Sequence, residues 1–419
     1  MAKFLLHTFY ATGHVLPMQS VAKALVDRGH EVVWLTSPAQ EARVRATGAR
    51  FVATEEIDRA DKVLQECMAD PPDTLEGIVD AFFGGRLAAQ VADLRSVLKG
   101  GFRPDVLVND ALPFGAAVLH ELGEVPAWAT LGVVPMYFRE HAPKSALGSI
   151  LSQPELIAGC INAQRVELGL APVEPRQILQ YSPQLHIQAS SPELEFGQTL
   201  HPTEYVGPLV SPLNGKSSAL PDWWGEVVAA SEAKGSVRVV GITQGTFATD
   251  PTSLILPAIR ALGDDASLLL VVPSQQVEEI KQALLSDDDS STTSSSESLP
   301  SNLRLASWLP YEELLPRCSV LVTNGGYGSV TQALAHGVPL VCAGTSEDKK
   351  DTAARVTHAG AGVDLGTDSP STEQVRNAVA EILGDMRHRE AASRAGRALN
   401  SLGGAARACE LLEGLVGGK

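Results

Sequence analysis

Three short stretches of the chain place reactive side chains where the backbone changes direction. In ATGHVLP, His14 follows the apolar segment KFLLHTFY and stands at the entry of a helical pattern; in DVLVND, Asp110 closes a run of β-forming residues. An imidazole titrates near neutrality and is available to take a proton, and a carboxylate behind it fixes its tautomer and stabilises the imidazolium. Residue type alone leaves open a structural histidine, an aspartate that ends a strand or caps the helix from Phe114, and Asn109 as another polar partner. The third stretch, VTNGGYGSVTQALAHGVPLVCAG from Val322 to Gly344, brings Asn324, Gly325, Gly326, Gly328 and Ser329 to a strand-to-helix junction. Little side-chain bulk beside the unpaired amides of a helix start suits an anion, most naturally a phosphate, although such glycines also serve simply to tighten a turn.

Neighbouring strand ends add to this. GITQGTF places Gln244, Gly245 and Thr246 after one strand, and GTSEDK places Glu347, Asp348 and Lys349 after another. Trp308, in SWLPYEELLP, offers a flat face to a base or a large side chain to the core. Together these ends supply phosphate, base and hydroxyl chemistry, which describes a nucleotide-sugar site.

The elements that must position these residues alternate. KFLLHTFY, a helix from about Val15 with Met18, Ala22 and Leu25 on one face, and EVVWLT form a strand–helix–strand unit. GARFVAT, a helical stretch over about 74–99, DVLVND, a helix from Phe114 and PAWATLG continue it. GPLVSPLNGKSSALPD, residues 207–222, shows neither period and reads as a linker. The alternation then restarts with RVVGITQG and runs through SLLLVVP, LRLASWL, SVLVTN and PLVCAG, so the sequence predicts two successive doubly wound domains with a cleft at the carboxyl ends of their strands. SDDDSSTTSSSES, residues 286–298, has nothing to bury and reads as a mobile, solvated insertion rather than a metal site. The tail from Ser371, whose STEQ resembles a capping box, reads as helical to about Val416.

Composition narrows the function classes. Of 419 residues 44% are hydrophobic, and Lys+Arg 33 against Asp+Glu 49 gives a net charge of −16, which disfavours nucleic acid and anionic membranes as partners. Cys67, Cys160, Cys318, Cys342 and Cys409 form no CxxC pair, so reduced thiols in a cytosolic protein are expected, with no zinc or disulfide framework. The start reads as a buried strand rather than a secretion signal, and no run reaches the length of a membrane span. Oligomeric state leaves no trace in the sequence.

In order and spacing, WLPYEELL, VTNGGYGSVTQALAHGVPLV and EDK resemble the nucleotide-sugar signature of the family 1 glycosyltransferases, which include macrolide and plant secondary-metabolite enzymes. The resemblance implies the α/β GT-B architecture: two Rossmann-like doubly wound domains facing a central cleft. It places an acceptor-binding domain over 1–210, a nucleotide-sugar domain over 211–385, and helices over 386–419 that could pack back on the first domain. It implies that Trp308 stacks on uracil, that Gln332 takes the ribose position, that Gly245, Thr246 and Asn324 to Ser329 bind the diphosphate, and that Asp348 and Lys349 meet the sugar. GHxxP matches the family's catalytic histidine at His14, and Asp110 its partner. Four positions depart from the family pattern: Asn324 for His, Gln332 for Glu, Lys349 for Gln, and Tyr311 for Gln.

The implied reaction is inverting, metal-independent transfer of a hexose, glucose above others, from UDP-sugar as co-substrate, with no further cofactor. The acceptor is a small hydrophobic molecule. Trp128, Met136, Tyr137 and Phe138 in AWATLGVVPMYF, and more weakly Phe82, could line its pocket or belong to the core. A catalytically silent nucleotide-sugar-binding protein is the alternative, disfavoured because it needs neither His14 nor Asp110. An epimerase has no use for the GHxxP base, and a dinucleotide dehydrogenase would carry GxGxxG after its first strand.

Overall fold

The computed structural model describes the chain outside residues 71–73, 111, 113, 137–153, 175–180, 198–201, 211–219, 233–236, 246–247, 287–297 and 418–419. It divides into two compact units: Met1–Pro192, Gln198–Ser211 and Leu402–Lys419 form the first, Glu193–Gly197 and Pro212–Ser401 the second. Most of the expected linker and of the serine-rich insertion lies outside the described residues.

In the first unit, β1 (Lys3–His7), β2 (Glu31–Thr36), β3 (Arg50–Ala53), β4 (Val106–Asn109), β5 (Trp128–Gly132), β6 (His186–Gln188) and β7 (Thr203–Tyr205) form a sheet of order β3-β2-β1-β4-β5-β6-β7. All its pairings are parallel. Helices on both faces explain why β1 and β2 read as unbroken apolar runs instead of alternating ones. These helices are α1 (Thr12–Asp27), α2 (Glu41–Ala46), α3 (Glu56–Ala69), α4 (Leu75–Phe83), α5 (Arg86–Lys99), α6 (Phe114–Glu121) and α7 (Pro154–Glu167). Helix α1 starts at Thr12, earlier than its apolar spacing predicts, so His14 lies in its first turn. Val15, Met18, Ala22 and Leu25 face the core as that spacing requires.

The second unit repeats the scheme with β8 (Arg238–Thr243), β9 (Leu268–Pro273), β10 (Leu303–Ala306), β11 (Val320–Thr323), β12 (Leu340–Cys342) and β13 (Gly362–Asp364). They are parallel throughout, in the order β10-β9-β8-β11-β12-β13. Its helices are α8 (Trp224–Glu232), α9 (Ile255–Leu262), α10 (Val277–Leu285), α11 (Tyr311–Leu314), α12 (Tyr327–Ala335), α13 (Lys349–His358), α14 (Thr372–Gly384) and α15 (Met386–Asn400). The Ser371–Gln374 capping box that opens α14 is formed.

The tail divides differently from the expected break at 385. Ala391, Ala392 and Leu399 of α15 are buried in a core of the second unit. Only α16 (Gly404–Gly414) joins the first, where Ala408, Cys409 and Leu412 enter the same core as Phe4 and Leu25. Glu413 of α16 accepts from Arg28 Nη2 at 2.6 Å and bonds His30 Nε2 at 2.7 Å. The Arg28 guanidinium first, and the His30 hydrogen bond beside it, hold its carboxyl down to about 2.

Two buried histidines give the first unit an acid limit. Burial pushes His7 down against the pull of Asp110, and pushes His186 down to about 4 against its bond to Gln188. His186 Nδ1 lies 2.8 Å from Thr130 Oγ1, and Thr130 Oγ1 already accepts from the Ser182 amide at 3.0 Å. Gln188 Nε2 donates to the Val134 carbonyl at 2.9 Å, so its Oε1 accepts from His186 Nε2–H at 3.0 Å and the Thr130 hydroxyl donates to Nδ1. Both folded-state pKa values lie below the unfolded value, so their contribution is full above pH 6.5 and is lost as pH falls below it, for His186 down to about 4. His186 alone is expected to remove about 3 kcal/mol across that window. Urea midpoints against pH should fall accordingly, and a His186→Gln variant should flatten that slope.

Candidate active site

In each sheet the strand order reverses beside the unit's first strand, at β1 between β2 and β4 and at β8 between β9 and β11. Loops leaving neighbouring strands at such a point diverge and open a crevice at their carboxyl ends. His14 and Asp110 lie at the first reversal, and Gly245 and Asn324 to Ser329 at the second, while Trp308 follows the edge strand β10 and Asp348 and Lys349 follow β12.

In the first unit, pairing of His7 with Asn109 brings the ends of β1 and β4 together. Asp110, whose side chain is fully buried, accepts from the Phe9 amide at 3.1 and 3.2 Å and from His14 Nδ1 at 2.8 Å. Asp110, and not Asn109, is the partner that bonds His14. With Nδ1–H held by the carboxylate, the basic lone pair is on Nε2. The His14 side chain is 17% exposed, and Phe9 packs edge-on against its ring with centroids 5.2 Å apart. Behind Phe9, the Arg86 guanidinium lies 5.4 Å from that ring and pairs with Asp61 at 2.8 Å, both side chains buried. Burial pushes the Asp61 carboxyl up, and Arg86 opposes that shift.

In the second unit, β11 pairs with β8, which sets Asn324 beside Gln244. Asn324 Nδ2 donates to the Gln244 carbonyl at 2.5 Å. The residue is 7% exposed, and its Oδ1 has no partner among the described residues. Gly325 follows at φ +85°, in the left-handed region where a side chain is strained, and Gly245 is at φ +75°. The Gly325 amide donates to Thr323 Oγ1 at 3.3 Å, so Gly325 is used inside the turn itself. Gly326 caps α12 without a side-chain bond, and the first intrahelical bond runs from Val330 to Gly326. The amides from Gly326 to Ser329 therefore make no intrahelical bond, and the positive end of the α12 dipole lies at this turn.

Around this turn, Ser329 Oγ lies 3.3 Å from the Tyr311 hydroxyl, and Gln332 Nε2 donates to the Gly328 carbonyl at 3.0 Å. Trp308, after β10, is 39% exposed. Asp348 caps α13. Lys349 is buried; its ammonium donates to Ser346 Oγ at 2.6 Å and pairs with Glu347, so it is not free for a sugar in this state. Thr246 lies outside the described residues.

The acceptor candidates fare differently. Trp128 is 1% exposed in a core with Leu107, Phe114 and Leu119, because β5 is covered on both faces. Met136 is equally buried, its sulfur accepting from the Tyr205 hydroxyl at 3.6 Å. Both are packing residues. Phe82 is half-buried at the end of α4, and Tyr137 and Phe138 lie outside the described residues. Among the described residues, no group of three His, Cys, Asp or Glu could hold a metal, and no helix is long and apolar enough to cross a membrane.

Sequence reasoning missed Glu195, which is completely buried in the second unit. It accepts from the Tyr327 hydroxyl at 2.5 Å and from Arg355 Nε and Nη2 at 2.9 and 2.7 Å. SSPELEFG shows no period, and a glutamate in a Pro/Gly-flanked stretch reads as solvated.

Residues 274–401 match the family model for the erythromycin biosynthesis protein CIII-like C-terminal domain. The chain is 32% identical to 4'-demethylrebeccamycin synthase of Lentzea aerocolonigenes, covering 99% of this chain and 100% of that protein. It is also 32% identical to UDP-glucosyltransferase A1 of Starmerella bombicola, covering 93% and 87% respectively. Among solved structures it resembles CalG4, the calicheamicin glycosyltransferase, with a TM-score of 0.77 and 22% identity over 100% of this chain and 98% of that one.

Proposed function

The chain belongs to the family 1 glycosyltransferases, with the GT-B fold class, and from that premise we propose that it transfers a hexose, glucose first among candidates, from UDP to a hydroxyl of a small hydrophobic acceptor such as a phenolic, polyketide or macrolide. The observation that carries this reading is the 2.8 Å bond from His14 Nδ1 to the buried Asp110, which leaves Nε2 as the base. His14 Nε2 takes the acceptor hydroxyl proton while the acceptor oxygen bonds to the anomeric carbon from the face opposite the nucleotide. The bond from that carbon to the diphosphate oxygen breaks, its electron pair leaves with UDP, and the configuration inverts.

Charge developing on the diphosphate is met by the amides from Gly326 to Ser329 and the Thr246 hydroxyl. Gly245 and Gly325 give those loops their turns. Asn324 Oδ1 accepts from a donor hydroxyl or a water beside it. Gln332 addresses the ribose through its Oε1, and Asp348 contacts the sugar hydroxyls. The reading calls for no metal and no cofactor, since a helix terminus and hydroxyls carry the leaving-group charge. Relatives named 4'-demethylrebeccamycin synthase and UDP-glucosyltransferase A1 support a small-molecule acceptor and the donor nucleotide.

The test is incubation with UDP-glucose and, separately, dTDP-glucose against a panel of phenols, flavonoids and macrolides, with the anomeric configuration of any product read by NMR. A β-glucoside formed from the α-linked donor supports inverting transfer. Nucleotide binding without transfer to any acceptor supports the silent binding protein instead.

Stacking of the uracil on Trp308 carries its own expectation. Trp308→Ala should weaken UDP binding by about tenfold, the scale of one base–aromatic stack. Its melting temperature should not change, because the side chain is an exposed surface group. Calorimetric UDP titration beside a thermal melt checks both, and unchanged affinity removes Trp308 from the site.

A further inference from the structure

The segment Glu193–Gly197 belongs to the second unit although the chain before and after it builds the first. Leu194 enters a core of the second unit, and Phe196 packs edge-on to His358 with ring centroids 5.0 Å apart. Phe196 adopts φ +58° and Gly197 φ +71°. A non-glycine residue holds such a conformation only where its surroundings over-determine it. What fixes this short strap is Glu195.

One Glu195 oxygen accepts from the Tyr327 hydroxyl, and the other accepts from Arg355 Nε and Nη2. Arg355 is itself fixed: Nη1 donates to the Asp351 carbonyl at 2.8 Å, and its guanidinium lies 4.8 Å from the Phe196 ring centroid. A buried carboxylate–guanidinium pair adds little net stability over well-packed apolar side chains, but it imposes directed geometry. The two helices it joins are the ones whose starts form the donor site. Tyr327 is the first residue of α12, directly after the Asn324–Gly326 turn; Arg355 lies on α13, whose start carries Asp348 and Lys349.

Resting on the donor-site reading above, we infer that Glu195 is a positioning residue for the sugar nucleotide. It sets the diphosphate-facing end of α12 against the sugar-facing end of α13. Losing its charge loosens that spacing, and the site then binds the nucleoside diphosphate less well even though the fold persists.

The experiment titrates UDP, and separately dTDP, into wild-type protein, Glu195→Gln and Tyr327→Phe, with melting temperature and far-UV circular dichroism recorded for each. Glu195→Gln is expected to weaken UDP binding about tenfold and Tyr327→Phe about threefold. Combining the two should cost no more than Glu195→Gln alone, because both act through one carboxylate. In turnover, donor KM rises in step while kcat at saturating donor stays within about twofold. Wild-type UDP affinity in both variants, with only a lowered melting temperature, overturns the inference and leaves Glu195 a structural residue. If Glu195→Gln does not fold, Tyr327→Phe decides alone, since it leaves the pair with Arg355 in place. Failure of wild-type protein to bind either nucleotide removes the donor-site reading first, and this inference with it.

Discussion

His14→Ala is expected to lower kcat by about two to four orders of magnitude while UDP affinity stays at the wild-type level. The imidazole is in the first unit and the proposed nucleotide site is in the second, so the deletion touches proton transfer and not the donor. Asp110→Asn should come close to the same loss, about 10³-fold, for a different reason. The amide would still accept from the Phe9 N–H, but its NH2 facing His14 would force the proton from Nδ1 to Nε2, leaving no base toward an acceptor. Steady-state kinetics with a saturating donor, beside calorimetric UDP binding, separates these effects. Activity of His14→Ala within tenfold of wild type would remove the base assignment.

Gly344→Ala should damage both the second unit and the proposed nucleotide site. A Cβ there would sit 2.0 Å from the Asn324 carbonyl oxygen and 2.7 Å from Lys349 Cδ. The first neighbour is main chain, and Asn324 is also tied to Gln244 on β8's end, so the strand ends cannot part without dismantling the turn. Overpacking of this kind costs about 1–3 kcal/mol, and UDP binding should fall more than tenfold with it. Gly326→Ala is the contrasting variant: its Cβ would meet only Asn324 Oδ1, at 4.0 Å, and its φ of −61° is ordinary. It should melt like wild type yet bind UDP less well, because the added methyl fills space meant for a ligand. Urea denaturation and calorimetry check the pair. Equal UDP affinity in both variants and wild type would place the nucleotide elsewhere.

The strands that carry chemistry were legible because parallel strands covered on both faces read as apolar runs ending in polar residues: β1 before His14, β4 before Asp110, β11 before Asn324. The same property hid the acceptor wall. In β5, tryptophan and its neighbours look alike whether they line a pocket or fill a core, and Trp128 fills the core. β6 and β7 have three residues each, too few for any period to emerge. The stretch 74–99, read as continuous helix, breaks at Gly84 and Gly85 into α4 and α5. Lys349 was visible as a departure, but its pairing with Glu347 depends on Glu347 adopting φ +44°, which no local pattern announces. Glu195 was invisible for a related reason: its partners lie 132 and 160 residues away.

The packing of α16 beside α1 bears on how the polypeptide is made. Vectorial synthesis normally lets an N-terminal domain fold while later residues are still emerging. Here Ala408, Cys409 and Leu412 fill the same interior as Phe4 and Leu25, so one of the cores of the amino-terminal half stays incomplete, its apolar floor uncovered, until translation has passed residue 414. Nascent chains stalled short of that helix should be caught by chaperones and cut by proteases in their amino-terminal half, whereas the stretch from Pro212 to Ser401 already carries its own interior.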